Sequence, residues 1–335
     1  MLWKKRIVWN ILFWLVLVVS SSLVFAQDET VAAHKAAIEQ VYAETFNAGD
    51  MTVMESLYAP DYVLHGYGDD LDLAGYQAVI EAMRAAMPDF ETTIEVLIAE
   101  DDWAATRVLH TGTFENAWVM DGEAIPANDE VISWSAITLH RFDENGLIVE
   151  DFTAFDMLNL LIQMDAAPIP NALALLIGTR EHYPAVMGET VATDMLEANE
   201  TAFTEIIERG INNGDFSAME TYMDEDYGLH EPFGDFNREQ FIAVIAGFRA
   251  AVPDLHVTID AVLREGDWIG TRLIYEGTFS NSIDLGAIYV EATNEPIRFI
   301  INVLIHFDGT GIGLEDFKEY NRLAWLNQLQ VLPME

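Results

Sequence analysis

Two histidines and two arginines occupy matching positions in the two halves of this 335-residue chain. His65 and His230 are separated by 165 residues (230 − 65 = 165), and so are Arg107 and Arg272 (272 − 107 = 165). A neutral histidine can polarise a carbonyl group or take up a proton, and an arginine within a strand could stabilise an enolate. The alternatives are core histidines bonded to the backbone and arginines held in structural ion pairs.

A tyrosine and another histidine correspond to different residue types in the other half. His110 corresponds to Tyr275, which indicates tuning of a pocket, although an exposed strand residue explains the exchange equally well. Tyr42 lies on the core side of a predicted helix and corresponds to Ile207, which favours a plain core aromatic over a hydrogen-bond donor.

Patterns for other chemistry are missing from the sequence. There is no cysteine, so disulfides, thiolate catalysis and cysteine-ligated metals are excluded. His65, His110 and His140 show no close paired spacing of the His-x-x-x-His kind, and no glycine-rich phosphate loop or nucleophile elbow occurs. We therefore expect neither a metal nor a cofactor.

The elements that must position these residues are duplicated at the same offset. Asn47-Ala48-Gly49-Asp50 recurs from Asn212, and Asp61-Tyr62-Val63-Leu64-His65 recurs from Asp226. Further pairs share the spacing: Pro88-Asp89 with Pro253-Asp254, Asp102-Trp103 with Asp267-Trp268, Gly112-Thr113 with Gly277-Thr278, and Glu150-Asp151-Phe152 with Glu315-Asp316-Phe317. A constant offset across so many motifs indicates a tandem duplication.

Each copy begins with helices and ends with strands. Ile38, Val41, Tyr42 and Phe46 recur with helical period, and Gly49 follows where a left-handed residue is wanted. A short helix, a segment with the Asp-Tyr motif and a third helix ending at Pro88 come next. The period then changes to two, and strands are predicted near 103–114, 131–142 and 147–155, the last two joined by a hairpin turn. Helices followed by an antiparallel sheet predict an α+β domain.

The domain boundaries follow from the repeat and from the N-terminal segment. Residues 1–26 have a basic start, an apolar run and a small-residue end, which predicts a signal peptide, with an uncleaved anchor as the alternative. Domain one then spans 30–165, a proline-containing linker spans 166–192 and domain two spans 193–335. We expect the folded part to be exported, whether periplasmic, extracellular or anchored with its domains facing outward.

The charge excludes two classes of partner. The formal net charge of −40 would repel nucleic acid phosphates and anionic membrane surfaces. Its ordinary interpretation is a solvated acidic surface.

The ordered set of motifs resembles the SnoaL-like polyketide cyclases of the nuclear transport factor 2-like superfamily, which also contains ketosteroid isomerase. The resemblance covers about 34–165 and 199–331. It implies two tandem cone-shaped α+β barrel domains, each a curved antiparallel sheet wrapped by helices around an apolar pocket, so two similar pockets are expected. In these cyclases the pocket closes a polyketide ester by a cofactor-free intramolecular aldol reaction.

The resemblance also implies site residues. The family's acid/base aspartate corresponds to Asp156, assisted by His65 and Arg107 as catalytic residues, with an N-cap of the closing helix as the alternative role for Asp156. Burial would raise the pKa of such a carboxylate toward a useful range. The ligand-binding candidates are Tyr42 (where ketosteroid isomerases carry a tyrosine donor), His110, Trp134, His230, Arg272, Tyr275 and Asn321.

The chain departs from the family pattern in both copies. Asn321 stands where domain two should carry the aspartate, and an amide cannot serve as an acid/base group. In domain one, Phe114 replaces the family's usual histidine after Gly-Thr, and Phe152 replaces its usual tryptophan.

Two hypotheses therefore stand side by side. The first is a cyclase or isomerase that works from domain one on a small apolar carbonyl compound. The second is a non-catalytic exported protein that binds a small apolar ligand, with the two domains packed sheet to sheet as an intrachain pseudo-dimer and further homodimerisation left open. A purely structural domain two is a third interpretation.

Overall fold

The computed structural model describes residues 29–66, 68–120, 122–167, 183, 193–284 and 289–331. The predicted signal peptide and most of the predicted linker lie outside the described residues. No helix among the described residues is long and apolar enough to span a bilayer.

Domain one contains four helices and seven strands in its described residues. Helix α1 is α-helical over 29–40 and π-helical over Val41–Asn47. It is followed by α2 (Thr52–Leu57), β1 (Tyr58–His65), α3 (Leu73–Ala86), β2 (Glu91–Glu100), β3 (Trp103–Thr113), β4 (Trp118–Met120), β5 (Glu123–Ile125), β6 (Val131–Phe142), β7 (Ile148–Phe155) and α4 (Met157–Gln163).

Domain two repeats this order. Helix α5 comprises Thr193–Glu205 and the π-helical Ile206–Asn212. It is followed by α6 (Ser217–Tyr222), β8 (Met223–Glu231), β9 (Gly234–Asn237), α7 (Arg238–Ala251), β10 (His256–Glu265), β11 (Trp268–Thr278), β12 (Ile283–Asp284), β13 (Tyr289–Val290), β14 (Pro296–Phe307), β15 (Gly313–Glu319) and α8 (Arg322–Gln328).

The main sheet of each domain is mixed and not wholly antiparallel as the sequence predicted. Its order is β1-β7-β6-β3-β2 in domain one and β10-β11-β14-β15-β8-β9 in domain two. Strand β1 runs parallel to β7, and β8 runs parallel to β15. The reason is that α3 carries the chain from β1 to the opposite edge of the sheet, where β2 begins, so no hairpin joins β1 to its neighbour.

The repeated motifs tie loops and strands together. The Asp89 carboxylate accepts hydrogen bonds from Thr113 N and Oγ1 at 2.6 and 2.7 Å, and Asp254 does the same for Thr278 at 2.7 and 2.8 Å. Gly49 has φ +80°, the left-handed conformation that the sequence predicts after α1. These motif residues therefore serve the scaffold.

One face of each main sheet is covered by the helices of its own domain, and the other faces the second domain. A buried cluster joins the two outer faces through Val96, Ile98, Ala105, Ile137, Leu139, Leu263, Trp268, Leu304 and Phe317. Asn302 Nδ2 of β14 donates to the carbonyl oxygens of Ile137 and Phe152 at 2.8 and 2.7 Å. The two sheets therefore bury each other's outer faces.

Candidate functional site

The interior of domain two holds a cavity of about 540 Å³. Helix α7, the inner face of the sheet and α8 enclose it. Its apolar lining includes Phe233, Phe236, Phe241, Phe248, Phe299 and Trp325. Both the volume and the mostly apolar wall are typical of sites for small organic molecules.

The cavity mouth lies along α7. Gly247 and Val244 line it, and the Val244 side chain is 42% exposed. A Cβ added at Gly247 would meet nothing within 4 Å, so this turn of the helix faces open space.

A few polar side chains interrupt the apolar wall. Lys318, Tyr320 and Tyr275 are buried and line the cavity, together with Glu231. The Tyr320 hydroxyl donates to Glu231 Oε2 at 3.3 Å. Burial, with the Glu231 charge adding to it, raises the pKa of Tyr320, so this phenol stays protonated at neutral pH and keeps the proton that it donates to Glu231.

Aromatic side chains pack tightly at the corresponding positions of domain one. His110 lies 4.9 Å from Trp134, 5.7 Å from Phe46 and 5.6 Å from Phe90, measured between ring centroids. Phe46 also contacts Tyr42 at 4.9 Å. The structure thus brings together Tyr42, His110 and Trp134, three of the predicted ligand-binding residues.

His110 is a neutral group in this environment. Burial lowers its pKa to about 3, and its Nδ1 lies 2.8 Å from Thr92 Oγ1. Domain two has Ile211 and Leu255 where domain one has Phe46 and Phe90, whereas it has Phe248 and Trp325 where domain one has Met83 and Leu160. The interiors of the two domains are therefore lined by different side chains at corresponding positions.

A buried polar network lies deeper in domain one. Tyr62 donates to Asp151 Oδ2 at 2.8 Å, and His140 Nδ1 lies 2.7 Å from Asp151 Oδ1. Thr106 Oγ1 then connects His140 Nε2, at 3.1 Å, to the Tyr42 hydroxyl, at 3.3 Å. All five side chains are at most 5% exposed, so the network satisfies groups that would otherwise be costly to bury.

Asp156, the predicted acid/base residue, forms a buried ion pair with domain two. Its Oδ2 accepts from Arg322 Nε at 2.7 Å, and Arg322 is fully buried at the start of α8. Burial raises the pKa of Asp156, and the Arg322 charge opposes that shift. Asp156 occupies the N-cap position of α4 but makes no side-chain capping hydrogen bond.

Asn321 caps a helix and is not part of the cavity lining. Its Oδ1 accepts from Ala324 N at 3.1 Å, which satisfies one of the free amides at the start of α8. The helix-capping role that the sequence left open for Asp156 is therefore filled by Asn321 at its own helix. The predicted ligand-binding role of Asn321 is not supported.

Arg107 and Arg272 lie between the domains. Arg107 pairs with Glu95 and lies 4.4 Å from the Phe317 ring centroid of domain two. Arg272 pairs with Asp260 and lies 4.7 Å from the Phe152 ring centroid of domain one. Each guanidinium is thus held on the outer face of its sheet by a carboxylate of its own domain and an aromatic ring of the other domain. The predicted roles in enolate stabilisation and ligand binding are not supported, whereas the ion-pair alternative is what the structure shows.

His65 and His230 also face outward. His65 stacks on Phe152 at 4.7 Å and its Nδ1 lies 2.7 Å from Asp70 Oδ1. His230 stacks on Phe317 at 4.9 Å and on Tyr183 at 3.7 Å. Neither histidine lines the domain-two cavity. Both form hydrogen bonds with carboxylates, whereas the alternative of a core histidine had predicted hydrogen bonds to the backbone.

Of the polar residues that line the cavity, Tyr275 was predicted as ligand-binding, whereas Lys318, Tyr320 and Glu231 were not. Arg322, the partner of Asp156, was not predicted either. Asp316 and Lys318 alternate along β15, which puts them on one face of the strand, and Tyr320 follows the strand's last residue at the same spacing; this period-two pattern was a readable signal. Arg322 carried no comparable signal, because it lies 166 residues from Asp156. Among the described residues, no group of three or more His, Cys, Asp or Glu could hold a metal ion.

Several solved structures resemble single domains of this chain. A candidate polyketide cyclase from Acidithiobacillus ferrooxidans is 30% identical over 40% of this chain and 96% of its own, with a TM-score of 0.35. A candidate polyketide cyclase from Streptomyces antibioticus is 27% identical over 39% of this chain and 98% of its own (TM-score 0.34). A candidate hydroxylase from Streptomyces galilaeus is 24% identical over 42% and 99% (TM-score 0.37). No curated protein matches the chain.

The sequence model of one family matches both domains. The SnoaL-like polyketide cyclase model matches residues 36–164 and again residues 201–329. Together these regions cover more than half of the chain, in the order and spacing of the repeat. The chain belongs to the SnoaL-like polyketide cyclase family, as a tandem duplicate of its domain.

Proposed function

We propose that this protein binds one small, neutral, mostly apolar molecule in the cavity of domain two. The observation that carries the proposal is the cavity of about 540 Å³, whose wall is made of aromatic and aliphatic side chains with a few polar groups. Apolar burial supplies the affinity in such a site.

The charges around the cavity favour a neutral ligand. Lys318 forms an ion pair with Asp316, with 3.2 Å between Nζ and Oδ2, and Glu231 adds a second carboxylate at the wall. An anionic ligand would meet more negative than positive charge there, in a chain whose net charge is −40.

Acid–base catalysis from domain one is the second candidate. It is supported by family membership and by the burial that raises the pKa of Asp156. Its substrate would be a small apolar carbonyl compound, turned over without a cofactor by aldol closure or isomerisation. The ion pair with Arg322 argues for a structural Asp156, which is why ligand binding in domain two comes first.

Location and assembly belong to the same proposal. Residues 1–26 support export of the folded domains, cleaved or anchored. The contacts between the outer faces of the two sheets support an intrachain pseudo-dimer, and a homodimer of whole chains would leave this arrangement intact.

Fluorescence of the neutral ketone prodan tests the binding proposal, because its emission shifts to the blue in apolar surroundings. We expect saturable binding to the wild type. Gly247→Phe should weaken binding by at least about tenfold, since a ring at the mouth competes with the ligand for space. The matched control is Gly247→Ala, which adds only a methyl group to open space at the same position.

The control has its own expected signature. Gly247→Ala should bind prodan like the wild type and raise the stability of the protein by about 1 kcal/mol, because alanine favours the helix. Equal binding to the wild type and to Gly247→Phe would contradict a ligand site in this cavity.

A further inference from the structure

A lysine side chain reaches into the apolar interior of domain two. Lys318 is 5% exposed, lines the cavity, and places Nζ 3.9 Å from the ring centroid of Phe241, which also lines it. Placing an ammonium group in such surroundings is costly before any compensation. The chain contains only four lysines, at positions 4, 5, 35 and 318, so this position is not the by-product of a lysine-rich surface.

The lysine belongs to a row of polar groups on the inner face of β15. Asp316 precedes it by two residues on β15, so these two side chains point the same way, and Tyr320 follows it by two residues, just past the end of the strand. The corresponding residues of domain one are Asp151, Thr153 and Phe155, and Glu231 corresponds to Gly66. Domain two therefore carries an amine, a phenol and a second carboxylate that domain one lacks.

The pairing of Lys318 with Asp316 provides a route to an uncharged amine. Nζ and Asp316 Oδ2 are 3.2 Å apart, close enough for one proton to pass between them. Burial raises the pKa of Asp316, although the Lys318 charge opposes the shift. Transfer of the proton leaves an amine and a carboxylic acid, and removes two buried charges at once.

We propose that Lys318 forms a reversible imine with a small apolar aldehyde or ketone held in the domain-two cavity. This inference rests on the proposed function, since the cavity must first take up the carbonyl compound. Lysines in apolar pockets act in this way because the neutral amine is a nucleophile toward carbonyl carbon.

The step balances without an oxidant or any further reactant. Asp316 takes one proton from the Lys318 ammonium, and the nitrogen lone pair attacks the carbonyl carbon to give a carbinolamine. Asp316 returns the proton as the C–O bond breaks. The carbonyl oxygen leaves as water with two hydrogens from the original ammonium, and the positive charge stays on the iminium nitrogen. Addition of water reverses the sequence.

Reductive trapping tests the inference on the intact protein. The wild type is incubated with naphthaldehyde, reduced with sodium borohydride and mapped by peptide mass spectrometry. We expect the peptide with Lys318 to carry a naphthylmethyl group on the order of tenfold more often than the peptide with Lys35, because a bound aldehyde is held beside the amine. Lys35 is a demanding control, since its side chain is 27% exposed against 6% for Lys318.

Two variants and a binding measurement separate the outcomes. Trapping at Lys318 should fall in Gly247→Phe and persist in Gly247→Ala. If prodan binds but trapping shows no preference for Lys318 over Lys35, the imine proposal is overturned and the proposed binding function stands. Loss of both prodan binding and trapping would overturn both. Equal trapping at Lys318 in wild type and Gly247→Phe would also overturn the inference, because the aldehyde would then reach the amine without using the cavity.

Discussion

Replacing Arg322 by methionine should destabilise the protein by about 3–5 kcal/mol. The substitution removes the cation that faces Asp156 Oδ2 at 2.7 Å and keeps an unbranched side chain of moderate length. It leaves the Asp156 carboxylate in a place that is only 6% exposed. Water cannot replace the lost partner there, so the desolvation of the charge is no longer compensated.

The magnitude depends on burial and not on the distance between the charges. Arg209 and Asp215 are also 2.7 Å apart, but their side chains are 43% and 48% exposed. Water solvates both of them whether or not they pair, so Arg209→Met should change stability little. This variant is the matched control, because the substitution is the same and the charge pair has the same separation but is exposed to water.

Guanidinium unfolding followed by tryptophan fluorescence measures the effect. A double variant, Asp156→Leu with Arg322→Met, removes both charges and should recover most of the loss, because a buried pair exchanged for apolar residues is often neutral in stability. If Arg322→Met cost no more than Arg209→Met, the pair would not be a buried structural link, and a catalytic Asp156 would regain its place.

Other predictions follow from buried and pH-sensitive contacts. Tyr62→Phe should cost about 1.5–3 kcal/mol in chemical unfolding, since it deletes the hydrogen bond to the buried Asp151 carboxylate. Hydrogen bonds from His230 and His306 lower the pKa of Glu315 from 4.5 to about 2, so the stability they contribute is present above pH 4.5 and is lost as the pH falls toward 2, as an acid titration of unfolding would show. The pKa of His306 is raised from 6.5, chiefly by its hydrogen bond with Glu315. The stability contributed by charged His306 is therefore complete below pH 6.5 and is lost as the pH rises through the raised pKa, and Glu315→Gln should lower that pKa in a histidine NMR titration.

Local physics was sufficient to predict most of the elements. The helical period before Gly49, the stop at Pro88 and the hairpin turn at Gly146 each depend on a few neighbouring residues, and the structure has a positive φ at both glycines. The parallel pairing of β1 with β7 was not predicted, because it follows from where α3 delivers the chain and not from the strand sequence.

The faces of the strands were harder to assign. Arg107 was expected in a pocket, but neighbouring residues of a strand point to opposite faces of the sheet. Thr106 faces the helices and Arg107 faces the second domain. Sequence alone could not choose between them, because the second domain covers the outer face of β3 and both neighbours are buried. The cavity of domain two was not predicted either, because its volume depends on how all the side chains around it pack together.

Native mass spectrometry of the protein with prodan tests most directly whether the ligand binds in domain two alone. We expect one bound molecule per chain in the wild type and in Gly247→Ala, and none in Gly247→Phe at the same prodan concentration. Two molecules per chain, or one that persists in Gly247→Phe, would contradict binding in domain two alone.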